Sequence, residues 1–580
     1  MRHCMCMAGF FYRVIFCLLM SLALTGPANA VVINPLSPNS ELQQHLTSQL
    51  SLFSEASVLA ELEQIAHVKR LYASRQFQPV WSDMSGLLPT VAELFKKVDL
   101  AEQHGLSGID VHRDLITFLS TSRASADRAK LDILLTDSFM LYVLAMGEGQ
   151  VDPASIDKGW RHAIREIDPV YLLQDALQNH RLLAVLNSVE PRSPQYKSLL
   201  AALSLYRQIE TIDGWPMLPA LDAALVYGSG ETVTLNILRK QLRLTGDLAS
   251  AVADESMFDY ELEQAVRKFQ KRHGLMVDGA VGRQTRAALN VPIRERIEQL
   301  VMNLERWRWL PRELGERHLL VNTADFSLQA FTAGQPALSM KVIVGKKKRK
   351  TPLFSEMMTY LVVNPYWNVP TKLAVKDLIP KELKHAGYLN RHHIRVLSGW
   401  DKNASELDLS SIDFSEYQDR RYLPFRFRQD PGNGNSLGRI KFMFPNAFSV
   451  YMHDTPSRGL FNRTVRTFSS GCVRLEKPLK LARFLMGEGG MQRINHVLRS
   501  GENRRIALPE PVAVHLIYQT AWMDEQGDIQ FRPDVYRKDA LLKAAMSKDY
   551  THQTETLAQA SGEKTINSVT HKDHPVITGL

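Results

Sequence analysis

Val450-Tyr-Met-His-Asp-Thr-Pro456, followed closely by Thr467-Phe-Ser-Ser-Gly-Cys-Val-Arg474, decides how this chain is read. The first stretch has the alternation of a strand and breaks at Thr455-Pro456, so His453 is expected where a strand gives way to a turn. Strand ends and the loops beyond them are where a rigid scaffold can present a reactive group. In the second stretch Gly471 precedes Cys472. A residue without Cβ permits an unusual backbone angle and close approach of a substrate. The amides of Gly471 and Cys472 could then converge on one point and stabilise a developing oxyanion. A thiol with the ordinary pKa of about 8.5 is scarcely ionised at neutral pH. A neighbouring imidazole can take its proton and leave a thiolate–imidazolium pair. A third group is needed to orient the ring, and a backbone carbonyl near Asp454 or an unidentified side chain could serve.

The other cysteines sharpen this reading. Cys4, Cys6 and Cys17 fall in a segment with basic Arg2 and Arg13, an apolar run over 14–25 and the small residues Ala28-Asn-Ala30. That pattern predicts a cleavable export signal over 1–30 and a periplasmic mature chain with no membrane-spanning segment. Cys472 would then be the sole remaining thiol, with no internal disulfide partner. A lone Cys is most often a small buried hydrophobe, and a lone His near a strand end is often only satisfied. The export context, the Ser-Gly-Cys turn and the loss of every other cysteine favour a reactive thiol here. The formal charge is +9, and removing Arg2 and Arg13 lowers it by two. This mild excess suits an anionic polymer, but no nucleic-acid motif accompanies it. The dense run Lys346-Lys-Lys-Arg-Lys350 reads as a solvated hairpin loop. No metal or cofactor site is expected; the histidines are scattered, and His392-His393 would point to opposite faces of a strand.

Outward from the site, the fold class reads as multidomain α+β. Residues 31–232 carry helical spacing, as over Lys130 to Glu148 and Ser198 to Thr211, and predict a helical scaffold domain. A compact unit follows over 233–292, with Val266 and Phe269 on one helical face, a C-cap at Gly274 and a tight turn at Asp278-Gly279. Over 293–540 the period becomes alternating, with strands expected at His318 to Phe331, Ala337 to Gly345, Thr359 to Asn364, Ala447 to His453, Val512 to Met523 and Ile529 to Tyr536. The pattern is interrupted over about 370–430 by an insertion expected to cap the site. Residues 541–580 are polar and predict a disordered tail.

Two resemblances attach to these residues. The Phe269-Gln270, Gly274-Leu275, Asp278-Gly279, Gly282, Thr285 and Leu289 pattern resembles the small three-helix peptidoglycan-binding domain. His453 with Ser470-Gly471-Cys472-Val473-Arg474 resembles the signature of the L,D-transpeptidase family. Gln429-Asp-Pro-Gly432, Asn435-Ser-Leu-Gly438 and Lys441-Phe-Met-Phe-Pro-Asn446 extend the match. Leu71-Tyr72, Pro79-Val-Trp81 and Asn303-Leu-Glu-Arg-Trp-Arg-Trp309 resemble its large periplasmic subgroup. Many members have His where this chain has Ser470, so Ser470 cannot act as a second imidazole and is left to donate a hydrogen bond. The resemblance implies a β-sandwich catalytic domain with Cys472 as nucleophile and His453 as its base. Ser470, Gly471, Arg474 and Tyr451 would act in oxyanion or substrate binding, and Arg474 and Arg466 would meet stem carboxylates. It implies a peptidoglycan tetrapeptide donor, a thioester acyl-enzyme, release of D-Ala, cross-links between third-position diamino acids, and acylation by carbapenems. Peptidoglycan is the expected partner, with other wall-synthesis enzymes as candidates and no nucleic acid. Competing readings are a wall carboxypeptidase or amidase on the same dyad, a lipoprotein-to-peptidoglycan ligase, and a non-enzymatic wall-binding scaffold.

Overall fold

The computed structural model describes residues 38–547, apart from 52–61, 84–85, 107–108, 110–111, 163–164, 212–214, 250–255 and 402. The expected signal over 1–30 lies outside the described residues. Helix α1 (Ser125–Gly147) is the axis of the helical part. It is buried on nearly every side, so its apolar residues do not form a single stripe. Its buried Asp132 accepts hydrogen bonds from the Tyr72 hydroxyl (2.6 Å) and the amides of Val80 (2.8 Å) and Trp81 (2.9 Å). The Leu71-Tyr72 and Pro79-Val-Trp81 stretches therefore converge on one buried carboxylate, which those donors satisfy.

Two parts of the expected 31–232 unit belong elsewhere. Helix α2 (Pro194–Thr211) places Tyr196, Leu199, Leu203 and Ile209 in the core of the β domain. Strand β1 (Trp160–Arg161) joins that domain's sheet. Ahead of the module expected from 233, Leu218 and Leu225 pack into its core, and Leu225 bridges Val281. Periodicity shows that a segment is helical, not which core it faces.

In that module helix α3 (Tyr260–Arg272) starts at Asp259, whose carboxylate accepts from the Leu262 amide (2.8 Å), an N-cap. The Gln270 side-chain amide donates to Asp278 (2.7 Å) and the Ala280 carbonyl (2.9 Å) and accepts from the Gly279 amide (2.9 Å). These recurring residues hold the turn together. His273 stacks on Phe269 (3.8 Å between centroids) and faces Phe531 (5.5 Å), docking the module on the β domain.

The β domain opens with helix α4 (Ile293–Arg308) packed on α2. Glu305 pairs with Arg308 in its interior and accepts from the amides of Gln150 (2.6 Å) and Val151 (3.1 Å), tying it to the helical part. The strands are β2 (Arg317–Asn322), β3 (Ser327–Thr332), β4 (Gln335–Gly345), β5 (Leu353–Val363), β6 (Ile440–Met443), β7 (Met452–His453), β8 (Thr467–Ser469), β9 (Val473–Leu475) and β10 (Arg504–Ile517). Their order is β6-β7-β9-β4-β3-β2-β10-β5, and β5 pairs back to β6. The sheet thus closes on itself through that pairing. β8 runs parallel beside β4, and β1 parallel beside β5. The register between β10 and β5 shifts between Ala507 and Val512, where Pro509 and Pro511 lack the amide a regular ladder needs.

Expected strand bounds differ at several places, among them Val512 to Met523, which breaks over 518–520. His318 to Phe331 is two strands around a turn over 323–326. Of Ala447 to His453 only β7 pairs, because the Asn446 side chain closes a turn on the Phe448 and Val450 amides (3.0 and 3.1 Å). Ile529 to Tyr536 pairs only over Ile529–Phe531. The tail also starts later than 541: residues 538–547 are helical, with Leu542 fully buried in the core. The rest of the tail lies outside the described residues. The 370–430 insertion has its own core, including Val369, Ile379, Val396, Phe425 and Phe427, and its own sheet in which Arg426–Gln429 lies between Trp367–Asn368 and Ile394–Leu397.

Candidate active site

β7 and β9 run side by side and parallel, with Met452 opposite Val473 and His453 opposite Arg474. Continuing this register by one residue sets Tyr451 opposite Cys472, and the Val473 amide donates to the Tyr451 carbonyl (3.1 Å). Side chains alternate along a strand. Met452 and Val473 are fully buried in the core. Tyr451, His453, Cys472 and Arg474 therefore share the opposite face. β6 adds Lys441 to it, opposite His453 on the other side.

The loop before β9 is tightly determined. Gly471 has φ +124°, a conformation that favours glycine. The Ser469 hydroxyl accepts from the Gly471 amide (3.1 Å) and donates to the Cys472 carbonyl (2.6 Å). The Thr351 hydroxyl donates to the Gly471 carbonyl (2.8 Å). The Gly471 amide is thus engaged within the loop, which removes it from the expected pair of oxyanion donors.

His453 is 4 % exposed. Its Nδ1 lies 2.6 Å from the Asp454 carbonyl. A carbonyl only accepts, so Nδ1 carries the proton and Nε2 keeps a lone pair. The orienting group is thus the backbone carbonyl at Asp454. The Asp454 carboxylate fixes it, accepting from the amides of Arg439 (2.9 Å) and Thr455 (2.7 Å) and pairing with Arg458. Gly438, at φ +61°, packs so closely on that carboxylate that a Cβ there would overlap it.

The thiol is partly exposed. Burial raises the Cys472 pKa, while hydrogen bonding from the Tyr451 backbone, the charge of Lys441, the Tyr451 hydroxyl and the charge of Arg474 act in the opposite sense. Burial, reinforced by the charge of Arg474, lowers His453 to about 3 against the hydrogen bond to Asp454. At neutral pH the site therefore holds a neutral thiol and a neutral imidazole, not the expected ion pair. The Tyr451 hydroxyl is the polar side-chain group that acts on the thiol to lower its pKa.

Among the other expected residues, Arg474 lies beside Cys472, with its pKa lowered by burial and raised by the Cys472 charge, and its buried Nε has no hydrogen-bond partner. Arg466 is engaged elsewhere, on the carbonyls of Arg463 (2.8 Å), Phe326 (3.1 Å) and Val342 (3.2 Å). It is not free to meet a carboxylate. The exposed Ser470 hydroxyl accepts from Arg349 (2.7 Å), and the same guanidinium holds Asp377 of the insertion in a two-point pair (2.8 and 3.1 Å). The Lys346–Lys350 run is therefore not wholly solvated, and Lys350 also donates to the Tyr536 carbonyl (2.8 Å). Sequence reasoning gave no role to Lys441, Arg349 or Thr351. Lys441 stood inside a quoted motif and carried a strand register that could have flagged it.

Comparison with known proteins agrees with this architecture. Residues 66–203 match the model of a scaffold domain, 235–289 that of a "Putative peptidoglycan binding domain", and 316–502 that of an L,D-transpeptidase catalytic domain. The three matches stand along the chain in the order scaffold, peptidoglycan binding, L,D-transpeptidase catalytic domain. A Haemophilus influenzae protein described as "Putative L,D-transpeptidase" is 37% identical over 250 residues, 43% of this chain and 49% of that protein. The match thus spans about half the length of that curated relative. A crystal structure of an L,D-transpeptidase from Xylanimonas cellulosilytica aligns at 17% identity with a TM-score of 0.17, covering 52% of this chain and 100% of that one. Among the described residues, no helix is long and apolar enough to cross a membrane.

Proposed function

We propose that this protein is a peptidoglycan L,D-transpeptidase that links third-position diamino acids of two stem peptides through a thioester on Cys472. The observation that carries the reading is the shared face of β7 and β9. It sets Cys472 diagonally beside a neutral His453 whose Nδ1 is tied to the Asp454 carbonyl. Rotation of the thiol from Tyr451 toward Nε2 lets the imidazole take the proton as sulfur attacks the carbonyl carbon of the third residue. The carbonyl oxygen becomes an oxyanion, with the Cys472 amide and the Tyr451 hydroxyl as donors and Arg474 as the nearby cation. Collapse breaks the C–N bond. The imidazolium returns its proton to the departing amine, and D-Ala leaves. A side-chain amine of a second stem then attacks the thioester, gives its proton to His453, and expels the thiolate, which regains that proton. The insertion, drawn to the Cys472 loop through Arg349, would limit water as a competing acceptor. The peptidoglycan-binding module would supply affinity for the polymer, and the 1–30 signal would bring the chain to the periplasm.

The test is incubation of the mature protein with purified tetrapeptide muropeptides and mass analysis of the products. Dimers linked through third residues, with free D-Ala, are expected from the wild type and neither from Cys472→Ala of unchanged circular dichroism. Shortened monomers alone would mean hydrolysis. Cross-linking retained by Cys472→Ala would overturn the assignment.

A further inference from the structure

Lys441 enters the reactive face from β6, a strand that carries neither the nucleophile nor its base. Its register partners are His453 on β7 and Val362 on β5. Its ammonium lies 3.8 Å from the centroid of the Tyr451 ring, which is cation–π distance. Tyr451 in turn lies opposite Cys472, and its hydroxyl acts on the thiol to lower its pKa. A chain of contacts therefore runs from the ammonium to the phenol ring, and from its hydroxyl to sulfur.

The surroundings of this lysine are unusual for a partly buried cation. Around it stand His453 on β7 with Tyr451 just before that strand, Arg474 on β9 with Cys472 just before that one, and Val362 on β5. The nearest aromatic on β5, Tyr360, is already covered by Arg505 at 3.7 Å. No carboxylate pairs with Lys441 among the described residues, and the acidic group that would support its charge is Cys472 once ionised. Burial lowers its pKa from the ordinary lysine range, as expected of an ammonium held without a counter-ion. A cation kept in this condition costs stability, which a purely structural role would not repay.

We propose that Lys441 is a positioning residue for the nucleophile: its ammonium, seated on the Tyr451 ring, holds positive charge beside Cys472 so that the thiolate forms as His453 takes the proton. Positive charge on the ring face withdraws electron density from the phenol and strengthens the hydrogen bond its hydroxyl gives to sulfur. The step balances without a co-reactant, since the proton leaving Cys472 goes to His453 Nε2. This rests on the reading of Cys472 as the nucleophile and assigns a residue that supports it.

Alkylation of Cys472 by iodoacetamide, followed from pH 5 to 10 by mass spectrometry of the full chain, tests it. Iodoacetamide is small and uncharged and reports the ionisation of sulfur whether or not the protein transfers acyl groups, so failure here is distinct from failure of the functional assignment. Lys441→Met is expected to move the alkylation midpoint to higher pH and to slow labelling at pH 8 by about tenfold, the order set by removing one charge from a partly buried site. Lys441→Arg should stay within about threefold of the wild type. In a Tyr451→Phe background the Lys441→Met effect should shrink, because the relay to sulfur is already cut. If Lys441→Met does not fold, the Lys441→Gln profile and the Lys441→Arg rescue decide. A pH profile of Lys441→Met or Lys441→Gln superimposable on the wild type, or Lys441→Arg as slow as either, would overturn the proposal.

Discussion

At the scale of single residues, what matters is which proton sits where. Burial holds His453 near 3 and raises the Cys472 thiol, so the resting site is uncharged on both partners. For a base the sign is simple: a lowered pKa keeps the imidazole free to accept a proton further into acid. The acid limb of acyl-enzyme formation is therefore expected well below pH 5. A kcat/KM profile with an acid limb centred near the ordinary histidine value of about 6.5 would contradict this. The placement of His453 at a strand end and of Cys472 after a glycine turn was legible in the sequence, because a strand end and a Gly-Cys turn limit where such side chains can go. Arg466 and Lys441 were not. An arginine near a reactive motif looks the same whether it faces substrate or caps carbonyls, and a strand lysine looks solvated until its neighbours are known.

At the scale of elements, the loop after β4 joins three parts of the site. Arg349 holds Ser470 beside the nucleophile and Asp377 on the insertion. Its hydrogen bonds lower the Asp377 pKa, so the pair persists above the usual carboxylate range and weakens as acid protonates Asp377. Partly exposed two-point pairs of this kind are worth about 1 kcal/mol. Arg349→Ala is therefore expected to speed amide exchange over 371–391 about fivefold and to raise the ratio of hydrolysis to transfer. Unchanged exchange there would show that the pair does not hold the insertion. Periodicity found the helices of the helical part but could not say that α2 packs on α4. It also merged β2 with β3, because the turn between them carries apolar residues and Phe326 at φ +57°.

At the scale of the whole molecule, the peptidoglycan-binding module is joined to the β domain by buried aromatic and charged contacts. His273 is buried between Phe269 and Phe531, its pKa well below normal through burial and through the nearby charges of Arg272, Arg296 and Arg532. The fold therefore needs it neutral, whereas the unfolded chain binds a proton at about 6.5. Its contribution is complete above that pH and is lost as pH falls below it, at about 1.4 kcal/mol per pH unit. His273→Phe keeps the stacking and removes the titration, so its urea stability should fall less steeply than the wild type between pH 6.5 and 5. Equal slopes would contradict the account.

The most direct measurement is the mass of the full chain, quenched during reaction with a tetrapeptide muropeptide and digested to locate the added group. The account predicts a transient adduct on the Cys472 peptide equal to the donor less D-Ala, absent in Cys472→Ala and accumulating when no acceptor amine is present. Third-residue dimers formed with that peptide unmodified at every time point, or an adduct on another residue, would contradict it.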